Sequence, residues 1–214
     1  MIHCIGDSHS CFFSGQEEMQ PFWPEQSNDK LPYFKSYRIG AATAYNLFHK
    51  IPIIDEIIKL KVNKDKDIVI FCFGEVDIRA HLLKQKEIQN KEINILIKEC
   101  VDRYWFVVLY FHSLGYKMGV WAPIASWGDD KPYSGPSFGT NAERNLVTNI
   151  FTNYLNDLAS NSDIEIISIF NKMLNDDSST NASYLDEWEG CHIHLNQKAM
   201  PMVIEEFKKK QIII

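Results

Sequence analysis

The sequence has no hydrophobic run near the roughly 18 to 20 consecutive apolar residues that a membrane-spanning helix needs. Its most apolar stretch, Tyr104 to Phe111, is far shorter and suits a buried helix or strand. No membrane span is therefore expected. Positive charge is also scarce: 22 Lys and Arg stand against 28 Asp and Glu, for a net charge of −6. No basic stripe interrupts that balance, which argues against nucleic acid as a partner. Cysteine is sparse and unpaired. The five residues (Cys4, Cys11, Cys72, Cys100 and Cys191) are odd in number, lack the paired spacing of a zinc site, and read as reduced, mostly buried thiols. The opening Met1-Ile2-His3-Cys4-Ile5-Gly6-Asp7 carries no basic n-region. Together with the thiols, this points to a cytoplasmic location. Asn181-Ala182-Ser183 matches a glycosylation sequon, but without a secretory signal the match carries no weight. Internal repeats and low-complexity tracts are absent as well.

What remains is the make-up of an ordinary folded protein. Hydrophobic residues are 45% of the chain and charged residues 23%, which excludes a disordered or fibrous class. Thirteen Phe, nine Tyr and five Trp supply bulky side chains for a sizeable core. A length of 214 residues fits one domain spanning 1–214.

Periodicity divides the chain into alternating strands and helices. Met1 to Ile5 and Asp67 to Phe73 are continuous apolar runs that end at glycine, as strands buried on both faces do. Lys117 to Pro123 and Ile164 to Ile169 read as two further strands. Residues 11–38, rich in aromatics and proline, read as an irregular surface loop. Ala41 to Leu60 suits one or two helices interrupted at Pro52, Lys91 to Ser113 a long helix, and Asn141 to Leu158 an amphipathic one. Lys198 to Lys210 reads as a terminal amphipathic helix starting near Asn196 or Gln197. The simplest architecture is an α/β fold, a three-layer α/β/α sandwich around a mostly parallel sheet. Ligands in such folds bind beyond the carboxyl ends of the strands. Three chemistry-bearing stretches fall at those ends: Gly6-Asp7-Ser8-His9, Gly74-Glu75-Val76-Asp77, and the segment around His192 and His194.

A serine in a sharp turn after a buried strand presents its hydroxyl and leaves its N–H free, although Asp or Ser there also reads as a simple helix cap. Gly6-Asp7-Ser8-His9 directly after the first strand resembles the opening block of the SGNH hydrolases, the GDSL-like esterase superfamily. The resemblance implies a flavodoxin-like sandwich, Ser8 as nucleophile, and an oxyanion hole built from the N–H groups of Ser8 and of Gly40 in Tyr37-Arg38-Ile39-Gly40. The family's third block, Gly-x-Asn-Asp, is replaced here by Gly74-Glu75-Val76-Asp77. Val76 has no donor, and losing one such donor typically costs about 100- to 1,000-fold in rate. Arg79 is the candidate replacement, with a structural ion pair to Glu75 or Asp77 as its plainer role. Phe73-Gly74-Glu75-Val76-Asp77-Ile78-Arg79 also resembles a variant in SGNH-like proteins of bacterial surface-polysaccharide gene clusters.

The closing block of the family supplies a histidine base, and two histidines compete for that role. His194-Leu195-Asn196 before a terminal helix is similar to the family's closing His-Leu-Asn, while His192 has Glu189 three residues back in the family's Asp-x-x-His spacing. The helix register favours His194, with Glu189, Asp186 or a backbone carbonyl to orient it. A metal alternative uses His192 and His194 with Cys191, His9 or His81. The expected function is that of a serine esterase or O-acyl hydrolase or transferase, needing no metal or organic cofactor, on a small acylated or glycan substrate. The rival is a non-catalytic domain of the same fold that binds an acylated sugar or a partner enzyme. Trp121, Trp127 and Tyr133 flank the Gly/Pro-rich stretch at 127–139, where packing is the default role and stacking on a sugar the alternative.

Overall fold

In the computed structural model, residues 1–127, 136–186 and 193–213 are described. Five parallel strands form one sheet in the order β2-β1-β3-β4-β5. They are β1 (Ile2–Gly6), β2 (Phe34–Arg38), β3 (Ile68–Cys72), β4 (Lys117–Trp121) and β5 (Glu165–Ile167). The helices are α1 (Ile51–Lys61), α2 (Leu83–Gln89), α3 (Ile93–Ser113), α4 (Asn141–Ala159) and α5 (Met200–Lys209). The expected sandwich is the observed one.

Side-chain alternation along β3 shows why both faces are covered. Val69 and Phe71 join Ile54, Ile57 and Ile58 of α1, Val107 and Phe111 of α3, and Phe151 of α4 in one core. Ile70 and Cys72 face the other way, into a second core with Phe12, Phe13, Val203 and Phe207. A strand between two cores has no polar face, hence its unbroken apolar run. Each fully buried Phe contributes about 1.5–3 kcal/mol, and Phe13, Phe34, Phe71, Phe111, Phe151 and Phe207 are all fully buried.

Two readings are corrected. Residues 11–38 are an irregular, largely exposed or half-buried loop only over 15–33; their two ends belong to a buried 3-10 helix, Ser8–Ser14, and to the edge strand β2. The edge position explains why the strand was not read, because β1 is the one strand that Phe34-Lys35-Ser36-Tyr37-Arg38 pairs with among the described residues, an isolated bridge from Arg38 to Phe22 apart, and its residues are buried and half-buried in turn. Pro52 does not interrupt a helix either. It lies in the first turn of α1, where its missing N–H has no intrahelical partner to lose. Pro201 opens α5 in the same way. The segment Asp77–Leu82, a single π-type turn running into α2, is a further element that periodicity did not separate. No helix among the described residues is long and apolar enough to cross a membrane.

Gly6, the last residue of β1, decides how tightly the central strands approach. A Cβ there would lie 2.5 Å from the carbonyl oxygen of Cys72 and 2.7 Å from its Cβ. Gly6→Ala should therefore force β1 and β3 apart and destabilise the fold by about 1–3 kcal/mol. Thermal unfolding would register this as a lower Tm, and an unchanged Tm would contradict the packing argument.

Candidate active site

The sheet order reverses between β1 and β3, and such a switch point leaves a crevice beyond the carboxyl strand ends. Ser8 follows β1 at this point. Asp7 caps the 3-10 helix by accepting the His9 N–H at 2.9 Å, so the turn that presents Ser8 is pinned by its neighbour. Both readings of this stretch thus coexist: Asp7 is the cap, and Ser8 is the residue presented.

Across the crevice, an isolated antiparallel bridge pairs Leu185 with Leu195. Asp186 and His194 exchange backbone contacts beside it, the Asp186 N–H donating to the His194 carbonyl at 2.8 Å. Asn196 locks the same pair of segments. Its amide donates to the carbonyls of Ser183 and Leu185 at 2.9 and 2.8 Å, while its Oδ1 caps the turn leading into α5. This frame aims His194 at Ser8. The Ser8 hydroxyl donates to His194 Nε2 at 2.8 Å, and His194 Nδ1 lies 3.2 Å from Asp186 Oδ2. A carboxylate only accepts, so Nδ1 carries the proton and Nε2 is left to receive one. Burial lowers the His194 pKa below the ordinary imidazole value; the Asp186 hydrogen bond opposes that and the His9 charge adds to it. His194 is thus neutral at pH 7 and able to act as a base.

Gly40 follows β2, the strand neighbouring β1, and Ile39 just before it donates its N–H to the Gly6 carbonyl at 2.9 Å. Gly40 has a φ of +90°, a conformation that a side chain would strain. The loop that follows is tied to the end of β3 by Asp77, which accepts the N–H groups of Ala44 and Tyr45 at 2.6 and 3.1 Å and the Cys100 thiol. Burial pushes the Asp77 carboxyl up to about 7.

Arg79, a candidate oxyanion donor in the sequence, donates to protein acceptors through two of its N–H groups. Nε donates to Glu75 Oε1 at 2.6 Å and Nη1 to the Pro136 carbonyl at 2.8 Å. The other oxygen of Glu75 receives the His9 Nε2–H at 2.9 Å. The His9 and Arg79 partnership was not legible in the sequence, where His9 figured only as a possible metal ligand. Asp186 stands eight residues before His194, outside the spacing that singled out Glu189. Glu189, His192, Cys191 and Tyr133 lie outside the described residues. Trp121 is buried in the second core, in keeping with a packing role.

No family model and no curated protein sequence matches the chain. Solved structures match it in fold. An acetylxylan esterase from Geobacillus stearothermophilus aligns with a TM-score of 0.58 at 15% identity, covering 98% of this chain and 92% of that one. Phospholipase A1 from Streptomyces albidoflavus aligns with a TM-score of 0.57 at 11% identity, covering 98% of each chain. A G-D-S-L-family protein from Desulfitobacterium hafniense gives 0.53 at 13% identity, again over 98% of each. At these identities the likeness is one of fold. The chain shares its fold, here a parallel five-stranded sheet between helices, with an acetylxylan esterase and a G-D-S-L-family protein.

Proposed function

We propose that this protein is a serine-dependent hydrolase of acyl esters, acting on a small O-acyl group, acetyl in the first instance, carried by a carbohydrate. The observation that carries this reading is the continuous hydrogen-bonded series Asp186–His194–Ser8, placed at the sheet's switch point. In the proposed reaction, Ser8 Oγ attacks the acyl carbon while His194 Nε2 takes the hydroxyl proton. The N–H groups of Ser8 and Gly40 hold the oxyanion. His194 then returns the proton to the leaving alcohol, and the acyl-serine is released by a water that His194 deprotonates in turn. Asp186 keeps the imidazole in the required tautomer throughout. Acetyl as the acyl group draws support from the acetylxylan esterase of like fold. The carbohydrate draws on the same neighbour and on the variant block at Phe73–Arg79.

Val76, which has no donor to offer an oxyanion, favours a second reading in which the domain binds an acylated sugar without cleaving it. A serine trap separates the two. A fluorophosphonate should add once to the wild-type protein, on the peptide carrying Ser8, and not at all to Ser8→Ala, since the neighbouring base raises the nucleophilicity of that hydroxyl. Intact mass without an adduct, under conditions that label a control esterase, would sink the hydrolase reading in favour of the binding one. An adduct persisting in Ser8→Ala would place the nucleophile elsewhere.

A further inference from the structure

The proposed reaction uses His194 but leaves a second buried imidazole beside it unexplained. The ring of His9 lies 4.8 Å from that of His194, centroid to centroid, tilted by 47°. His9 is only 8% exposed. Its Nε2 is fixed on Glu75, and Glu75 is fixed by Arg79 through its other oxygen, so three side chains from two segments form one strut ending on the base. The segment that supplies Glu75 and Arg79 is the one in which Val76 replaces the asparagine of the resembling family. Resting on the ester-hydrolase reading above, we propose that His9 is a positioning residue for His194: held by Glu75 and Arg79, it braces the ring of the base against Ser8 and presents a cationic face that opposes its protonation before substrate arrives.

The charges support this. Burial alone would raise Glu75, but the charges and hydrogen bonds of His9 and Arg79 overcome it and hold the carboxyl down at about 2. Glu75 is therefore a carboxylate at any working pH. Burial pulls His9 down, while the Glu75 charge and hydrogen bond outweigh that and raise it above the ordinary imidazole value. Asp7 faces His9 from its own turn, its carboxyl pushed up to about 6 by burial. Asp7, His9, Glu75 and Cys72 border a cavity of about 10 Å³, room for about one water. Among the described residues, Asp7 Oδ2 has no hydrogen-bond partner. Around His194 the facing groups are His9, Asp186, Glu75 and the Ser8 hydroxyl. Of these only His9 lowers its proton affinity by charge, beyond the effect of burial. The sign follows: a base with a lowered pKa works above that value, and activity is lost as the pH falls through it.

Two variants separate brace from charge. His9→Gln keeps a donor for Glu75 and removes the positive charge; His9→Ala removes both the charge and the packing. With 4-nitrophenyl acetate, the acid limb of kcat/KM should move to higher pH in both variants. The plateau kcat should fall by roughly 10- to 100-fold in His9→Ala, as for a misplaced catalytic group, and much less in His9→Gln. A second readout does not depend on turnover: in a Ser8→Ala background, NMR titration of the His194 imidazole should show its midpoint moving up when His9→Gln is added. An unchanged His194 midpoint in that background would overturn the proposal, as would acid limbs that coincide in all three proteins. If the wild type neither turns over nor takes up the fluorophosphonate, the hydrolase reading fails on its own, while the NMR titration still decides whether His9 governs His194.

Discussion

His194→Ala should lower kcat for an aryl acetate by about 10⁴-fold or more, with KM little changed, the expected size for removal of the base from a serine triad. The reason is geometric. Nε2 of His194 sits 2.8 Å from the Ser8 hydroxyl, and a neutral serine is a poor nucleophile without a group to take its proton. Parallel kinetics on His192→Ala make the result discriminating, because the two histidines compete on sequence alone. A His194 variant that retains activity beside a dead His192 variant would transfer the base role. Circular dichroism and Tm on both proteins separate lost chemistry from lost fold. His194 is small in exposure and packs on His9, so some loss of Tm in His194→Ala is expected without consequence for the interpretation.

Asp186→Asn should lower kcat by about 10³- to 10⁴-fold while leaving the protein folded. The amide matches the carboxyl in shape but lets the imidazole take the other tautomer, with the proton on Nε2 facing Ser8. Asp186 also accepts the His194 backbone N–H through Oδ1 at 3.3 Å, and an asparagine oxygen can keep that contact. Glu189→Gln measured beside it tests the alternative drawn from Asp-x-x-His spacing. Comparable losses in the two variants would mean that both acids serve the base. A loss confined to Glu189→Gln would return the orienting role to that residue and reduce Asp186 to part of the backbone frame.

Much of the fold could be read from the chain because strands between two cores announce themselves. Asp67 to Phe73 has no polar alternation, since residues on its two faces enter different cores. The long helix α3 and the amphipathic α4 lie close to where their spacing puts them. The edge strand β2 was illegible for the opposite reason. With one neighbour and partly solvated side chains, Phe34–Arg38 lacks the apolar run that marks a central strand. The turn at Ser8–Ser14 was hidden inside an aromatic stretch whose burial comes from contacts with Phe34, Trp121 and Phe207, distant in sequence.

By itself, the sequence determined the fold class, the places where strands end, and the candidates Ser8, Gly40 and His194, because strand ends and glycine or serine turns are local properties of the chain. Which acid faces His194 was decided only by tertiary structure. The pairing of Leu185 with Leu195 brings the ends of a segment together, and the partner it selects is Asp186, eight residues before His194, where the family's Asp-x-x-His spacing does not look. The ion pair of Arg79 is partly local and partly tertiary in origin. Glu75 lies one turn before it and offers a carboxylate in a buried place, where a charge left without a partner is costly, so Arg79 and His9 are both drawn to it. Local spacing can suggest such an ion pair between Glu75 and Arg79. Only the packing of β1 beside β3 brings in His9, 66 residues away in the chain, and sets it against His194.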